Sequence, residues 1–255
     1  MGVIVKNGLK HHLSLWGVRL LDQLLPPRCL SCGAGAQDSG RICPDCWKEL
    51  DFLQGPMCRC CGHPFGFDMA QSLCASCQKS LPPFDRARAA LRYDDGSRRM
   101  IISFKHGDRA DYGDFFVQLL MQASQNLPSS LPSSLAFVVP VPLHKKRLRQ
   151  RRYNQAALIA RKFAAQKGFD YVADMLIRHR YTPPQEGNYG QRQRNVAGAF
   201  AFSEKYREKI QDRRIIVIDD VYTTGATASA CARILKKAGA GSVEILTLAR
   251  VCAVT

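Results

Sequence analysis

The stretch Ile215-Ile216-Val217-Ile218-Asp219-Asp220-Val221-Tyr222-Thr223-Thr224-Gly225-Ala226-Thr227 constrains this chain more than any other. Four β-branched residues in a row suit a strand buried on both faces. Two carboxylates follow where that strand should end, and then a Thr/Gly/Ala loop. Ala228 to Ala238 reads as a helix closed by Gly239. A strand, a tight turn and a helix in that order build an anion site. The N–H groups of the loop and of the helix N-terminus converge, and the helix dipole favours negative charge there. The hydroxyls of Thr223, Thr224 and Thr227 add donors. Asp219 and Asp220 cannot bind phosphate themselves, but they can hold sugar hydroxyls or a divalent cation. An ordinary strand–loop–helix crossover requires neither the paired acids nor the threonines.

This stretch resembles the signature with which type I phosphoribosyltransferases bind 5-phosphoribosyl 1-pyrophosphate (PRPP): an apolar run, two acids, two variable residues, then T-T-G-x-T. The resemblance implies that Asp219 and Asp220 contact the ribose hydroxyls, and that Thr223, Thr224, Gly225, Ala226 and Thr227 hold the 5′-phosphate. Mg²⁺ would accompany PRPP.

Cysteine usage sets a second constraint. Eleven cysteines occur in 255 residues, and eight of them form four C-x-x-C pairs: Cys29/Cys32, Cys43/Cys46, Cys58/Cys61 and Cys74/Cys77. Residues 1 to 28 lack an apolar run long enough for a secretion signal, and no window approaches a membrane span. The protein therefore reads as cytoplasmic with reduced thiols, where repeated C-x-x-C units mean metal rather than disulfides. Zinc needs four ligands in a tetrahedron, and each C-x-x-C turn supplies two. Eight ligands fit up to two structural zinc ions. Gly33 and Gly62 follow their second cysteines, where such a turn needs relaxed backbone geometry. Spacing leaves open whether the pairs combine consecutively or interleave. Cys60 could replace a neighbour, and His63 is another candidate ligand or supporting group. A unit this small has little apolar core, so metal would supply its folding free energy.

Charge is the third constraint. Thirty-seven Lys plus Arg against twenty-one Asp plus Glu give +16, which suits a polyanionic partner such as nucleic acid or a phosphorylated small molecule. The excess is concentrated after the apolar strand Ala136 to Pro142. There Lys145, Lys146, Arg147, Arg149, Arg151 and Arg152 crowd one segment. Ligand sites of parallel sheets lie beyond the carboxyl ends of strands, so this segment is placed to face pyrophosphate or a nucleic-acid backbone. Aromatic interleaving, useful for stacking bases, is limited to Tyr153.

Other elements read more simply. Leu9 to Leu25 has near-helical apolar spacing and ends at Pro26-Pro27. Ser80-Leu81-Pro82-Pro83 is a linker. Arg86 to Tyr93, Tyr171 to Arg178, Val196 to Phe202 and Ser242 to Val251 read as strands. Asp94-Asp95-Gly96 reads as a turn. Met100 to Phe104, Asp111 to Gln125 and Asn154 to Gly168 read as helices. His179 to Arg194 is almost free of apolar residues and reads as a mobile lid loop. Cys231 and Cys252 stand alone and read as core residues.

Taken together, the chain from Cys29 onward resembles the ComF family, proteins linked to DNA uptake and use of external DNA. The marks are Phe104-Lys105-His106-Gly107, Val139-Pro140-Val141-Pro142-Leu143-His144, Tyr153-Asn154-Gln155, Thr182 with Gln185, Arg192 with Asn195, Gly198-Ala199-Phe200, and the PRPP motif. Departures are Arg152 where the family commonly carries Gly, Pro183 where a basic residue is usual, and Asn188 where Leu is usual. The resemblance implies an α/β fold: a parallel-sheet type I phosphoribosyltransferase-like domain over 84–255, preceded by a Cys-rich double zinc ribbon over 29–79; the apolar spacing before it adds an N-terminal helix over 1–28. It also implies single-stranded nucleic acid and DNA-uptake machinery proteins as partners beside PRPP. Three functions are weighed. One is a DNA-handling factor of natural transformation or DNA utilisation that retains a PRPP site. Another is an active phosphoribosyltransferase in which Asp219 and Asp220 orient the ribose and Lys105, or the basic segment, stabilises the leaving pyrophosphate. The third is a non-catalytic PRPP sensor. Purine-salvage enzymes often carry an Asp general base at the position of Thr223, and a neutral hydroxyl is a poor base. The short stretch after the last strand leaves the zinc unit to cover the site.

Overall fold

The structure, a computed structural model, describes residues 26–66, 72–106, 112–125, 127, 136–181 and 198–252. The helix expected over Leu9 to Leu25 and the lid-loop residues 182–194 lie outside them. Five strands form one parallel sheet: β1 (Arg86–Arg92), β2 (Ala136–Pro140), β3 (Asp170–Tyr171), β6 (Arg214–Tyr222) and β7 (Ser242–Arg250), in the order β1-β7-β6-β2-β3. Two short strands, β4 (Leu176–Arg178) and β5 (Phe200–Phe202), pair antiparallel beside it. The helices are α1 (Pro44–Lys48), α2 (Ala75–Lys79), α3 (Asp95–His106), α4 (Tyr112–Ser124), α5 (Lys145–Arg151), α6 (Gln155–Lys167) and α7 (Ala226–Lys237).

The β-branched run makes β6 the middle strand, buried on both faces as its sequence requires. Ile215 and Val217 point to one side, against Cys231 and Leu235 of α7. Ile216 and Ile218 point to the other, against Phe116 and Leu120 of α4 and Ile159 and Phe163 of α6. Each such side chain stabilises the fold by roughly 1.5–3 kcal/mol.

The Cys-rich unit wraps the β1 edge. Leu53 N–H donates to Ala90 O at 2.9 Å, and Arg92 N–H donates to Asp51 O at 2.8 Å. Further along, Ala87 N–H donates to Cys60 O at 2.7 Å. These bonds satisfy an edge that would otherwise offer unpaired backbone groups. The two halves of the unit sit on opposite faces of the sheet. Leu30 and Leu50 join the α4/α6 side, whereas Cys58, Cys60, Cys61 and Cys77 join the α7 side. The Tyr112 hydroxyl anchors the first half by donating to Leu30 O.

Two local expectations change. Asp94 does not end in a free turn but caps α3: its Oδ1 accepts from Ser97 N–H at 2.9 Å while Ser97 Oγ accepts from Asp94 N–H at 3.0 Å. Gly96 then lies in the first turn of α3, where a Cβ would meet Glu49 O at 2.9 Å. The strand read over Tyr171 to Arg178 splits into β3 and β4, because the chain turns at Ala173-Asp174. The Asp174 carboxylate holds that turn, taking bonds from Lys205 Nζ at 2.5 Å and the Tyr206 hydroxyl at 2.6 Å.

Candidate functional site

The end of β6 carries the acidic pair, and three residues turn the chain into α7. Gly225 caps that helix with φ at +76°, and a Cβ there would collide with the Tyr222 hydroxyl. Only glycine meets both conditions. Thr224 Oγ1 accepts from Ala226 N–H at 3.4 Å, and Gly225 O accepts from Ser229 N–H at 2.8 Å. Thr223 is exposed, Thr224 and Thr227 are half-buried, and Gly225 and Ala226 are buried. The loop therefore presents threonine side chains, Thr223 fully and Thr224 and Thr227 in part, at the carboxyl end of the sheet beside the N-terminus of α7.

Asp219 and Asp220 stand beside it. Asp220 N–H donates to Asp219 Oδ1 at 2.9 Å. Burial, and then the charge of Asp220, push the Asp219 carboxyl up to about 7, although the Asp220 N–H, Lys105 and Arg178 pull the other way. Lys105 Nζ lies 2.8 Å from Asp220 Oδ2, with less than a fifth of either side chain exposed. Arg151 is half-buried; burial lowers its pKa while the charges of Asp220 and Asp219 oppose that. Two acids thus face Lys105 and Arg151, each brought in from an element remote in sequence.

The family-like motifs explain how Lys105 is held. The Tyr153 hydroxyl donates to Phe104 O at 2.9 Å. Gln155, 2% exposed, donates through Nε2 to Lys105 O at 3.2 Å. Asn154 Nδ2 donates to Val141 O at 3.0 Å, while its Oδ1 caps α6 by accepting from Ala156 N–H at 3.1 Å. The Tyr-Asn-Gln triplet therefore clamps the end of α3 and the end of β2 at once.

The basic segment forms α5. His144 caps it, its Nδ1 accepting from Lys146 N–H at 3.2 Å. Lys145, Lys146, Arg149 and Arg152 are exposed, whereas Arg147 and Arg151 are half-buried. Tyr153 turns inward, its ring 6.1 Å from that of Phe104. The aromatic beside the basic helix is Tyr181: Lys146 Nζ lies 4.9 Å from its ring centroid, and the His144 ring packs edge-on at 5.4 Å. Arg152, where the family commonly has Gly, takes φ +64° at the C-cap of α5. The left-handed backbone persists although the glycine does not.

The eight cysteines form two consecutive sets: Cys29, Cys32, Cys43 and Cys46, and Cys58, Cys61, Cys74 and Cys77. The sulfurs of each set lie within 4.8 Å of one another. Cys32 and Cys43 Sγ are 3.8 Å apart, and Cys61 and Cys74 Sγ 3.5 Å. A tetrahedron with Zn–S near 2.3 Å has edges of about 3.8 Å, so the donor sets fit. Gly33 and Gly62 take φ +76° and +70°, as the turns need, and Gly62 also lies where a Cβ would meet Ala87 O at 2.5 Å. N–H groups are aimed at the sulfurs: Cys43 N–H is 3.2 Å from Cys29 Sγ, and Cys74 N–H 3.4 Å from Cys58 Sγ. For Cys29, burial raises the thiol pKa, but backbone N–H groups from Cys32, Cys43 and Ser31 outweigh it and bring it down to about 6. For Cys58, the bond with Cys61 leads and backbone N–H groups add, against burial, bringing it down to about 4, while the same bond and then burial push the Cys61 thiol up. Both sets are consistent with structural zinc. Cys60 and His63 are outside them; Cys60 Sγ faces Phe84 O at 3.9 Å.

Two site residues have no spacing signal in the sequence. Arg178 of β4 acts electrostatically on Asp219 and lies 5.2 Å from the Phe200 ring centroid. Arg250, at the end of β7, reaches from the sheet to Cys61. Among the described residues, no helix is long and apolar enough to cross a membrane.

Fold and sites together define a parallel-sheet α/β protein with an N-terminal Cys-rich double zinc ribbon. The family model described as "Double zinc ribbon domain" matches residues 20–78. Over most of its length the chain is similar to Competence protein F of Haemophilus influenzae, 27% identical with 88% of this chain and 96% of that one covered. It is likewise similar to DNA utilization protein YhgH of Salmonella typhi, 26% identical over 93% of this chain and 92% of the other. The resemblance to the ComF family carried by the motifs is borne out by these relatives. Adenine phosphoribosyltransferase from Thermoanaerobacter pseudethanolicus aligns over 56% of this chain and 82% of that one, at 14% identity and a TM-score of 0.33. That superposition is too weak to bear on the fold, which the strand order defines.

Proposed function

We propose that this chain is a cytoplasmic ComF-like factor of natural transformation or DNA utilisation, which binds PRPP at Asp219 to Thr227 and single-stranded DNA along α5. The supporting observation is that one helix faces both ways. Arg151, its last residue, lies in the field of Asp219 and Asp220, while Lys145, Lys146 and Arg149 of the same helix stand exposed. A phosphate chain on the outer face and a pyrophosphate on the inner face would share one cationic element. The names of the relatives, competence and DNA utilisation, favour DNA as the polyanion. Asp219 and Asp220 would orient the ribose hydroxyls, with Mg²⁺ arriving with PRPP. The loop N–H groups and Thr223, Thr224 and Thr227 would take the 5′-phosphate, and Lys105 with Arg151 the pyrophosphate. In this reading, residues 29–79 are the zinc ribbon, 84–255 the ligand-binding domain, and DNA-uptake proteins the partners.

The test is single-stranded DNA binding by the zinc-loaded protein across a salt series, with and without Mg²⁺-PRPP. Tight binding with a steep salt slope is expected, reduced when Arg149, Arg151 and Arg152 are neutralised. Absence of DNA binding at moderate salt sinks the DNA-handling reading.

The juxtaposition of Lys105, Arg151 and the acid pair also favours a second reading, an active phosphoribosyltransferase in which these cations stabilise departing pyrophosphate. Pyrophosphate release from PRPP against a panel of bases separates it from binding alone. No release from any base sets it aside.

A further inference from the structure

Arg250 is a buried cation with an unusual set of neighbours. It ends β7 directly beside Tyr222, its register partner on β6, and is 7% exposed. Its Nη1 donates to Cys61 O, and its Nη2 lies 3.7 Å from Cys61 Sγ. Its guanidinium carbon lies 4.7 Å from the centroid of the Tyr222 ring. Among the described residues no carboxylate forms an ion pair with it. A buried guanidinium without a counter-ion is costly. The anionic group within its reach is the second cysteine set, since a zinc ion bound by four thiolates carries a net double negative charge. On its other side, Tyr222 is pinned between Arg250, the Phe84 ring at 6.3 Å and the Cβ-free surface of Gly225.

We infer that Arg250 is a positioning residue that links the second zinc site to the PRPP loop. With that site loaded, Arg250 has its counter-charge, holds the Tyr222 ring, and Tyr222 fixes the turn at Gly225. When the second site loses its metal, Arg250 loses its partner and the loop loses its fixed shape. The first cysteine set has no such route, because its apolar residues lie on the opposite face of the sheet. The two zinc sites therefore differ: one holds the ribbon on the sheet, and the other also sets PRPP affinity. This rests on the PRPP reading above.

The test compares Arg250→Met and Arg250→Lys with wild type by three readouts: hydrogen exchange of the Thr223–Ser229 amides, zinc release to a chelator, and Mg²⁺-PRPP affinity by calorimetry. Arg250→Met is expected to speed loop exchange and weaken PRPP binding by about tenfold, within the usual range of coupling between sites. One of the two zinc ions should leave faster. Arg250→Lys, which keeps the charge and also guards against a misfolded Met variant, should restore part of each effect. Tyr112→Phe, which removes the hydroxyl that anchors the first ribbon at Leu30 O, should leave loop exchange unchanged. Unchanged loop exchange in both Arg250 variants, or equal loosening by Tyr112→Phe, overturns the inference. If wild type itself fails to bind Mg²⁺-PRPP, the PRPP reading fails alone, and exchange with zinc release still decide the link.

Discussion

Lys105 Nζ lies 2.8 Å from Asp220 Oδ2, joining the last turn of α3 to the carboxyl end of β6. The pair closes one wall of the candidate site and neutralises half of the acidic doublet. Its partner in the doublet, Asp219, is then left with only longer-range cations. Replacing Lys105 by Met leaves Asp220 and Asp219 to repel each other. The expected cost is about 1–3 kcal/mol of folding stability, read from denaturant midpoints. Mg²⁺-PRPP affinity should fall with it, and Asp220→Asn should add little further loss in the double variant.

Asp219 makes stability depend on pH in a stated direction. Its carboxyl titrates near 7 in the folded chain, against an ordinary value of 3.8. The folded state keeps a proton that the unfolded chain has released, so this group's contribution to stability falls as pH rises from about 4 through 7. Asp219→Asn removes that slope. Thermal melts should show the variant gaining on wild type as pH is raised across this window, with the largest advantage above 7. PRPP binding should be lost in the same variant, since an amide cannot replace the ionised acid.

Gly225→Ala puts a Cβ against the Tyr222 hydroxyl at a backbone with φ +76°. The strain alone costs about 1–3 kcal/mol. A lower Tm together with loss of PRPP binding is expected. Gly66→Ala, where a Cβ meets nothing within 4 Å, is the control and should change neither.

Arg152→Gly separates backbone from charge. Relief of the left-handed strain should stabilise the chain by about 1 kcal/mol, seen as a raised Tm. Loss of one exposed cation should lower the salt slope of single-stranded DNA binding by about 1. A stabilised variant with an unchanged slope would place the DNA path away from Arg152.

Chelation of both metals should unfold the ribbon and bare the β1 edge, which now pairs with Asp51, Leu53 and Cys60. The folding free energy of small zinc units is largely that of metal binding. Loss of cooperative melting and concentration-dependent aggregation are the expected signs, measured by calorimetry and light scattering.

The sequence by itself determined whatever depends on neighbours along the chain. Ile215 to Ile218 specified a strand buried on both faces. Asp219-Asp220 and Thr223 to Thr227 specified a turn into a helix start. The C-x-x-C pairs with Gly33 and Gly62 specified two metal knuckles. In each case a short-range rule acts: β-branching, the left-handed preference of glycine, or the reach of two thiolates across one turn. Tertiary structure decided the rest. It chose consecutive rather than interleaved cysteine sets. It turned Arg151 toward the acids and Lys145 toward solvent, and it turned Tyr153 inward onto Phe104 while leaving Tyr181 beside the basic helix. It also brought Lys105 to Asp220 and Arg250 to Cys61. Those pairs are separated by more than a hundred residues, and no local propensity encodes them. They form because parallel strands β1, β7, β6 and β2 must stack in one order to bury both faces of β6, and that order carries distant side chains to the same end of the sheet.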